Sequence, residues 1–448
     1  MKTLAQIAAE LQGYDPQAMT AGGVLDFLSR LVTPVQDVLE VPLMQALGRV
    51  LAFDVVSPFD VPPHDNSAMD GYAFAGAQLS PSAELELQVI GTALAGKAWQ
   101  GSVQPGQCVK IMTGAVMPAG LDTVVPQEFV ALRKSGEGEA ITVPQALLQT
   151  GDNCRLRGED LMQGRAALLK GELLTPARLG LAASLGLQTL KIWRPLRVAY
   201  FSTGDEILSL GELPREGAVY DSNRYTVFGM LSRLGCEVID LGVVRDDPAL
   251  LEASFTEAAA KADVIITSGG VSVGEADYTR AMMKNLGDVA FWRIAMRPGR
   301  PMAVGRISST KMASGSDSAC VSSYFNDSNM NSALLFGLPG NPVAVMVTFL
   351  AFVRPALLQM MGARPEPDIL LKARSAHAIR KKPGRTEYQR GRVTTAPDGS
   401  LHAATAGNQG SGVLSSMAEA NGLIVLHHGQ GNVAAGDEVD VLMFDGAL

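Results

Sequence analysis

Val264-Ile265-Ile266-Thr267 runs into Ser268-Gly269-Gly270-Val271-Ser272-Val273-Gly274-Glu275-Ala276-Asp277. An apolar run of strand length that opens into a glycine-rich, acid-ended loop decides the fold, because similar units flank it between Phe201 and Pro342. Leu196–Phe201 delivers Ser202-Thr203-Gly204-Asp205-Glu206, and Val238–Val244 delivers Arg245-Asp246-Asp247-Pro248. Phe291–Met296 leads to Arg297-Pro298-Gly299-Arg300-Pro301, and Leu335–Leu338 to Pro339-Gly340-Asn341-Pro342. Asp247-Pro248 reads as an N-cap followed by proline at the first helical position, opening a helix to about Ala262. Asp277 starts another that ends near Leu286-Gly287. Strands alternating with helices of this length predict a parallel sheet. Ligands of such sheets bind outside the carboxyl ends of the strands, so this edge is the expected site.

Working outward, the first segment reads as helical. Leu25, Leu28, Leu31 and Val32 recur at helical spacing, and Leu43, Leu47, Val50 and Leu51 do the same. Ser57-Pro58-Phe59-Asp60-Val61-Pro62-Pro63 then breaks any helix. Leu85–Thr92, Cys108–Met112, Thr123–Pro126 and Ala140–Val143 are short strand-like runs split by Gly and Pro, and Pro176–Leu185 is a further helix. The expected class is α/β plus β and multidomain, with a parallel-sheet α/β domain, an inserted β-rich domain and a small C-terminal β domain. The predicted boundaries are a discontinuous N-terminal domain (1–60 and 155–193), an inserted β-rich domain (61–154), an α/β domain (194–364) and a C-terminal β domain (365–448). Residues 308–332, rich in Ser, Asn and Asp, form an expected mobile surface excursion.

Bulk composition narrows the function. The 448 residues exceed what one core supports, and 47% hydrophobic content with a mean hydropathy of +0.15 describes a foldable globular chain. A net charge of −8 argues against a general nucleic-acid binder, while leaving room for a local cationic pocket. The four cysteines include no C-x-x-C pair, so neither a disulfide framework nor a zinc site is suggested. No signal-peptide layout and no uninterrupted apolar run approaching membrane-spanning length is read, and a soluble cytoplasmic location without membrane contact is expected. None of the five histidines lies between His64 and His377. Imidazole from the strand-end loops is therefore excluded, leaving carboxylates, arginines, hydroxyls and a bound cation.

Each loop has a chemical and a bland reading. A glycine-rich turn lets backbone N–H groups approach an oxyanion, or simply meets a need for positive φ. It carries neither the Walker A nor the G-x-G-x-x-G pattern. Carboxylates gathered beside phosphates commonly hold Mg²⁺. N-capping explains Asp247 well and Asp277 plausibly, but not Glu206 or Asp246. Arg293, Arg297 and Arg300 suit tetrahedral oxyanions. Pro339–Pro342 is a rigid turn with Pro342 fit for a helix start. Asp65–Ala73 has the polar density of a binding loop, and Met112-Thr113-Gly114-Ala115 ends a strand with a hydroxyl.

Taken in order, Asp65–Ala73, Lys110–Ala115, Arg157–Asp160, Ser202–Glu206, Tyr220–Asn223, Gly269–Asp277, Arg297–Pro301 and Pro339–Pro342 closely resemble the molybdopterin molybdenumtransferase family, which includes the C-terminal enzymatic domain of gephyrin. The resemblance runs from about residue 20 to the C-terminus. It implies an elongated homodimer of four domains that takes adenylylated molybdopterin and molybdate, uses Mg²⁺ and releases AMP in molybdenum-cofactor biosynthesis. Molybdopterin adenylyltransferase and other proteins of that biosynthesis are the implied partners. Carried over by position, the catalytic set is Asp70 and Thr113, reaching the partner subunit's cleft, with Glu206, Asp246 and Asp277, the last three also as Mg²⁺ ligands. Arg155, Asp160, Ser272, Gly274, Arg293, Arg297, Arg300, Pro339, Pro342, Arg385 and Ser411 form the implied substrate-binding set. Arginines at 293, 297 and 300 stand where lysines are common in the family, and Ala344 where serine is frequent. A non-catalytic scaffold of the same fold and an adenylyltransferase are the alternatives.

Overall fold

The computed structural model describes residues 2–135, 138–270, 277–309 and 332–444. The excursion expected over 308–332 falls almost wholly outside them, as do Ser272, Gly274, Glu275 and the side chain of Asp277. The longer helices, in chain order, are α1 (Leu4–Glu10), α2 (Ala21–Leu31), α3 (Pro176–Ser184), α4 (Ser222–Arg233), α5 (Pro248–Lys261), α6 (Asp277–Leu286) and α7 (Pro342–Thr348). Asp247 caps α5 by accepting from the N–H groups of Ala249 and Leu250, at 2.9 and 3.0 Å.

The central sheet contains β1 (Arg197–Thr203), β2 (Glu237–Val244), β3 (Val264–Ser268), β4 (Gly287–Arg293), β5 (Pro301–Ser308) and β6 (Ser332–Leu338). Their lateral order is β2-β1-β3-β6-β5-β4. The first four of these run parallel, as the alternation with helices requires. β5 runs antiparallel to both β6 and β4, so the sheet is mixed rather than wholly parallel. The cause is local: the short connection around Arg297–Arg300 leaves no length for a crossover helix, and an antiparallel return is what a short turn permits. β4 still points the same way as β6, so its carboxyl end joins the common edge.

Side chains alternate between the two faces. Val198, Tyr200, Ile266, Val304 and Phe336 pack with α1, α2, α4 and α7, while Ala199, Phe201, Ile265, Ala303 and Leu335 pack with α5 and α6. The run Pro342–Met360 continues α7 through a π-turn at Phe349–Val353. It is long and apolar enough to span a membrane, but 67% of its apolar window is buried in the protein. That burial is the mark of a core helix.

The N-terminal segment divides. α1 and α2 join the core of the central sheet rather than packing with residues 155–193. Buried Arg306 on β5 donates to the carbonyls of Lys2 (3.0 Å) and Leu31 (2.6 Å), and Asp288 on β4 accepts from Leu4 N–H (2.9 Å). Residues 38–56 do pair with 166–193: Val38–Pro42 is antiparallel to Thr189–Trp193, and Val55–Val56 to Ala166–Leu168. The helix expected through Leu43, Leu47, Val50 and Leu51 is absent. Pro42 is extended, Gly48 has φ +70°, and only a 3₁₀ turn forms at Leu43–Gln45. Val50 and Leu51 instead make antiparallel bridges to Leu173 and Ile192.

Between these halves, six strands from Gly71–Phe74 to Gly138–Val143 form the inserted sheet. At the other end, Thr386–Thr395 pairs with both Leu401–Thr405 and Gly422–Leu426. Glu438–Met443 and Leu370–Ser375 complete the circuit, closing a small barrel around Ile424, Leu426 and Val441.

Candidate active site

A cleft of about 810 Å³ opens between the carboxyl edge of the central sheet and the barrel. That volume suits a ligand of nucleotide size. Thr203 ends β1, Gly204 and Glu206 follow it, Asp246 follows β2, Gly269 and Gly270 follow β3, and Pro339, Gly340 and Asn341 follow β6. Arg297 to Pro301 come from the β4–β5 turn, while Arg385, Gln409, Gly410 and Ser411 come from the barrel.

Backbone ties set the acidic wall. Asp246 N–H lies 3.3 Å from Asp205 Oδ1, joining the loops after β1 and β2, and Val219 N–H donates to Glu206 O at 2.9 Å. Gly269 N–H reaches Leu338 O at 3.2 Å. Its φ of +92° and the close approach of Thr203 O, 2.5 Å from where a Cβ would stand, both require glycine. Beneath, Tyr200 OH lies 2.8 Å from Ser202 Oγ and from Ser268 Oγ, and burial pushes its pKa up.

The basic wall is shared between domains. Met296–Arg297 pairs in parallel with Thr386–Glu387 of the barrel. Arg385 directs Nε and Nη2 to Glu387 Oε1, at 2.8 and 2.7 Å. Arg390 is buried and donates to Ser416 Oγ (3.0 Å), Asn408 O (2.9 Å) and Gly410 O (3.0 Å), fixing the loop that carries Ser411. Burial first, and then repulsion from Arg297, hold its guanidinium below the ordinary value. Val343 N–H, in the first turn of α7, donates to Ser411 O at 3.1 Å and seals the two domains together.

The structure thus brings Glu206, Asp246, Arg297, Arg300, Pro339, Arg385 and Ser411 into one cleft, with Ala344 also on its wall. It leaves Arg293 and Pro342 outside the lining. Arg293 uses its backbone to hold the N-terminal segment, through Pro16 O (2.8 Å) and Met19 N–H (3.1 Å), and Pro342 opens α7. Asp70, Thr113, Arg155 and Asp160 are absent from the lining as well. Thr113 donates both its backbone N–H and its hydroxyl to Asp70 Oδ1, each at 2.7 Å. Those two bonds, the backbone one foremost, hold Asp70 below the usual carboxylate range. Arg155 lies opposite Asn66 in a two-residue ribbon, and Asp160 N–H is tied to Val61 O at 3.0 Å. Asp70 and Thr113 thus form a pair on the inserted domain, while Arg155 and Asp160 lie on the segment that returns from it. Sequence reasoning missed Arg390 and Gln409, because nothing marks an inward-facing strand arginine until the 406–411 loop folds over it.

Among the described residues, no three His, Cys, Asp or Glu side chains cluster closely enough to cage a metal. Glu206 and Asp246 nevertheless place two carboxylates on one cleft, which suits a hard cation that arrives with substrate phosphates and keeps part of its water shell. Arginines on the same cleft suit oxyanions. The cleft carries groups suited to a cation-bridged polyanion.

Three family models match the chain: "MoeA N-terminal region (domain I and II)" over residues 20–186, "Probable molybdopterin binding domain" over 199–359 and "MoeA C-terminal region (domain IV)" over 372–444. A molybdopterin molybdenumtransferase of Haemophilus influenzae is 39% identical over 407 residues, covering 91% of this chain and 94% of its own. One from Nostoc is 35% identical over 414 residues, covering 91% and 89%. Among solved structures, a molybdopterin biosynthesis MoeA protein from Pyrococcus horikoshii superposes with a TM-score of 0.76 at 26% identity, covering 95% of this chain and all of that one.

Proposed function

The chain belongs to the molybdopterin molybdenumtransferase family and is a transferase of molybdenum-cofactor biosynthesis, and we propose that it inserts molybdate-derived molybdenum into adenylylated molybdopterin with release of AMP. The observation that carries this reading is the one cleft that Glu206 and Asp246 line together with Arg297, Arg300, Arg385 and Ser411. Both substrates are anions, and a site that combines arginines with open backbone N–H groups is suited to hold two anions together. Arg297, Arg300, Arg385 and Ser411 hold molybdate and phosphate oxygens, while the glycine-bearing turns after β1, β3 and β6 let the ligand approach the backbone. Glu206 and Asp246 would hold Mg²⁺, with Asp277 at the start of α6 as the third candidate. Bound there, the ion would polarise the phosphoanhydride.

Asp70, Thr113, Arg155 and Asp160 enter the same reading through a homodimer in which the inserted domain of one subunit completes the cleft of its partner. A cytoplasmic setting, with molybdopterin adenylyltransferase supplying the labile intermediate, fits that chemistry. The test is AMP release from purified adenylylated molybdopterin with Mg²⁺, with and without molybdate. Molybdate-dependent release with an active cofactor product is expected. A protein that binds the intermediate normally yet releases no AMP would be a scaffold or carrier instead.

A further inference from the structure

Glu387 stands out as a carboxylate placed against an anion site, where its charge alone works against the ligand. Its side chain is 2% exposed, and each oxygen is engaged: Oε1 accepts from Arg385 Nε (2.8 Å) and Nη2 (2.7 Å), and Oε2 accepts from Gln389 Nε2 (3.2 Å). Arg385, by contrast, is 38% exposed and lines the cleft. It precedes the strand Thr386–Thr395, whereas Glu387 lies within it. Glu387 also sits opposite Arg297 in the short parallel ladder that joins the barrel to the central sheet. One strand residue therefore registers with the first cleft arginine through the backbone and grips another through its side chain.

From this geometry, and resting on the oxyanion role given to Arg385 above, we propose that Glu387 is the positioning residue of the oxyanion subsite. It locks the guanidinium at Nε and Nη2, so the remaining edge is presented to the anion in one orientation. A long arginine side chain otherwise loses much rotamer freedom on binding, and a preset guanidinium avoids that loss. Charge and positioning predict opposite signs. If Glu387 acted only as a negative charge near the site, removing it would tighten anion binding. As a positioner, its removal loosens binding.

The experiment measures equilibrium binding of molybdate and the AMP-release kinetics in the full chain carrying Glu387→Leu or Glu387→Asp, each alone and in an Arg385→Ala background. Glu387→Leu is expected to raise the molybdate Kd and KM by about tenfold, with kcat and the KM for adenylylated molybdopterin within about twofold of wild type. Glu387→Asp, whose shorter carboxylate withdraws from Arg385, gives an intermediate loss and carries the test if the leucine variant does not fold. In the Arg385→Ala background neither change adds a further loss. Tighter or unaltered molybdate binding in these variants overturns the proposal, as does a full additive loss without Arg385. Should Arg385→Ala itself leave molybdate binding unchanged, the oxyanion role of Arg385 fails first. Should that variant bind poorly while the Glu387 variants bind normally, only the positioning role fails.

Discussion

Arg194 and Arg390 show how one residue type takes opposite electrostatic roles. Half-buried Arg194 bonds Asp263 twice, at 2.8 and 3.0 Å, and also reaches Asp37, so its pKa is raised. Arg390 has carbonyls and a hydroxyl for partners, and burial first, then repulsion from Arg297, lower its pKa. The first is a structural strut at the end of the sheet away from the cleft. The second braces the loop that carries Ser411 to the cleft. For Asp263, burial alone would raise the pKa, but hydrogen bonds from Arg194 and from Arg197 N–H outweigh it and the net shift is downward. A lowered folded-state value means stability that is present at neutral pH and is lost as pH falls below the ordinary 3.8. Replacing Asp263 by Asn is therefore expected to cost about 2 kcal/mol at pH 7, between the values for exposed and fully buried pairs. Thermal unfolding from pH 6 to pH 3 checks this. The gap between wild type and variant should narrow below about pH 4, and a gap that stays constant across the range would refute the ion-pair account.

At the scale of elements, the site depends on how strands end. β3 stops at Ser268, and the chain turns at once through Gly269, whose N–H is bound to the end of β6. Substituting Ala for Gly269 forces a left-handed conformation on a residue with a Cβ and drives that atom against Thr203 O, a backbone group that cannot swing aside. The expected result is a loss of about 1–3 kcal/mol from strain, with turnover reduced at least tenfold because the loops after β1 and β3 separate. Calorimetry and AMP release together decide it; a variant with wild-type values in both would mean the turn rearranges freely. Gly299 is similar in kind, with φ +91° and Thr348 Oγ1 2.4 Å from the added Cβ, but a side chain is easier to displace than a carbonyl.

The whole molecule separates two groups of functional candidates. Glu206 and Asp246 line the cleft, whereas Asp70 and Thr113 lie on the inserted domain and do not. If the cleft of one subunit is completed by its partner, Asp70→Ala and Glu206→Ala damage different halves of each composite site. Each variant alone should be nearly inactive. Random reassortment of the two should recover roughly a quarter of wild-type turnover, because about half the dimers are mixed and each mixed dimer keeps one intact site. Mixed dimers that form but stay inactive would place all these residues in a site within one chain.

The sequence carried the strand ends, and with them Glu206, Asp246, Arg297 and Arg300, because alternating apolar runs and Pro/Gly turns report on neighbours a few residues away. The cap of α5 at Asp247 and the proline start of α7 at Pro342 were legible for the same reason. The helix expected through Leu43–Leu51 failed because its spacing also fits a partly buried extended segment, and the bridges of Val50 to Leu173 and of Leu51 to Ile192 chose between them. Tertiary contacts alone set that α1 and α2 cover the central sheet, that β5 reverses direction, that Arg293 stays out of the cleft, and that Arg385 and Ser411 line it from the barrel with Arg390 buried behind the Ser411 loop. Those outcomes rest on contacts between segments far apart in the chain. Their energies depend on shape and partner choice in three dimensions, which no local period in a single sequence records.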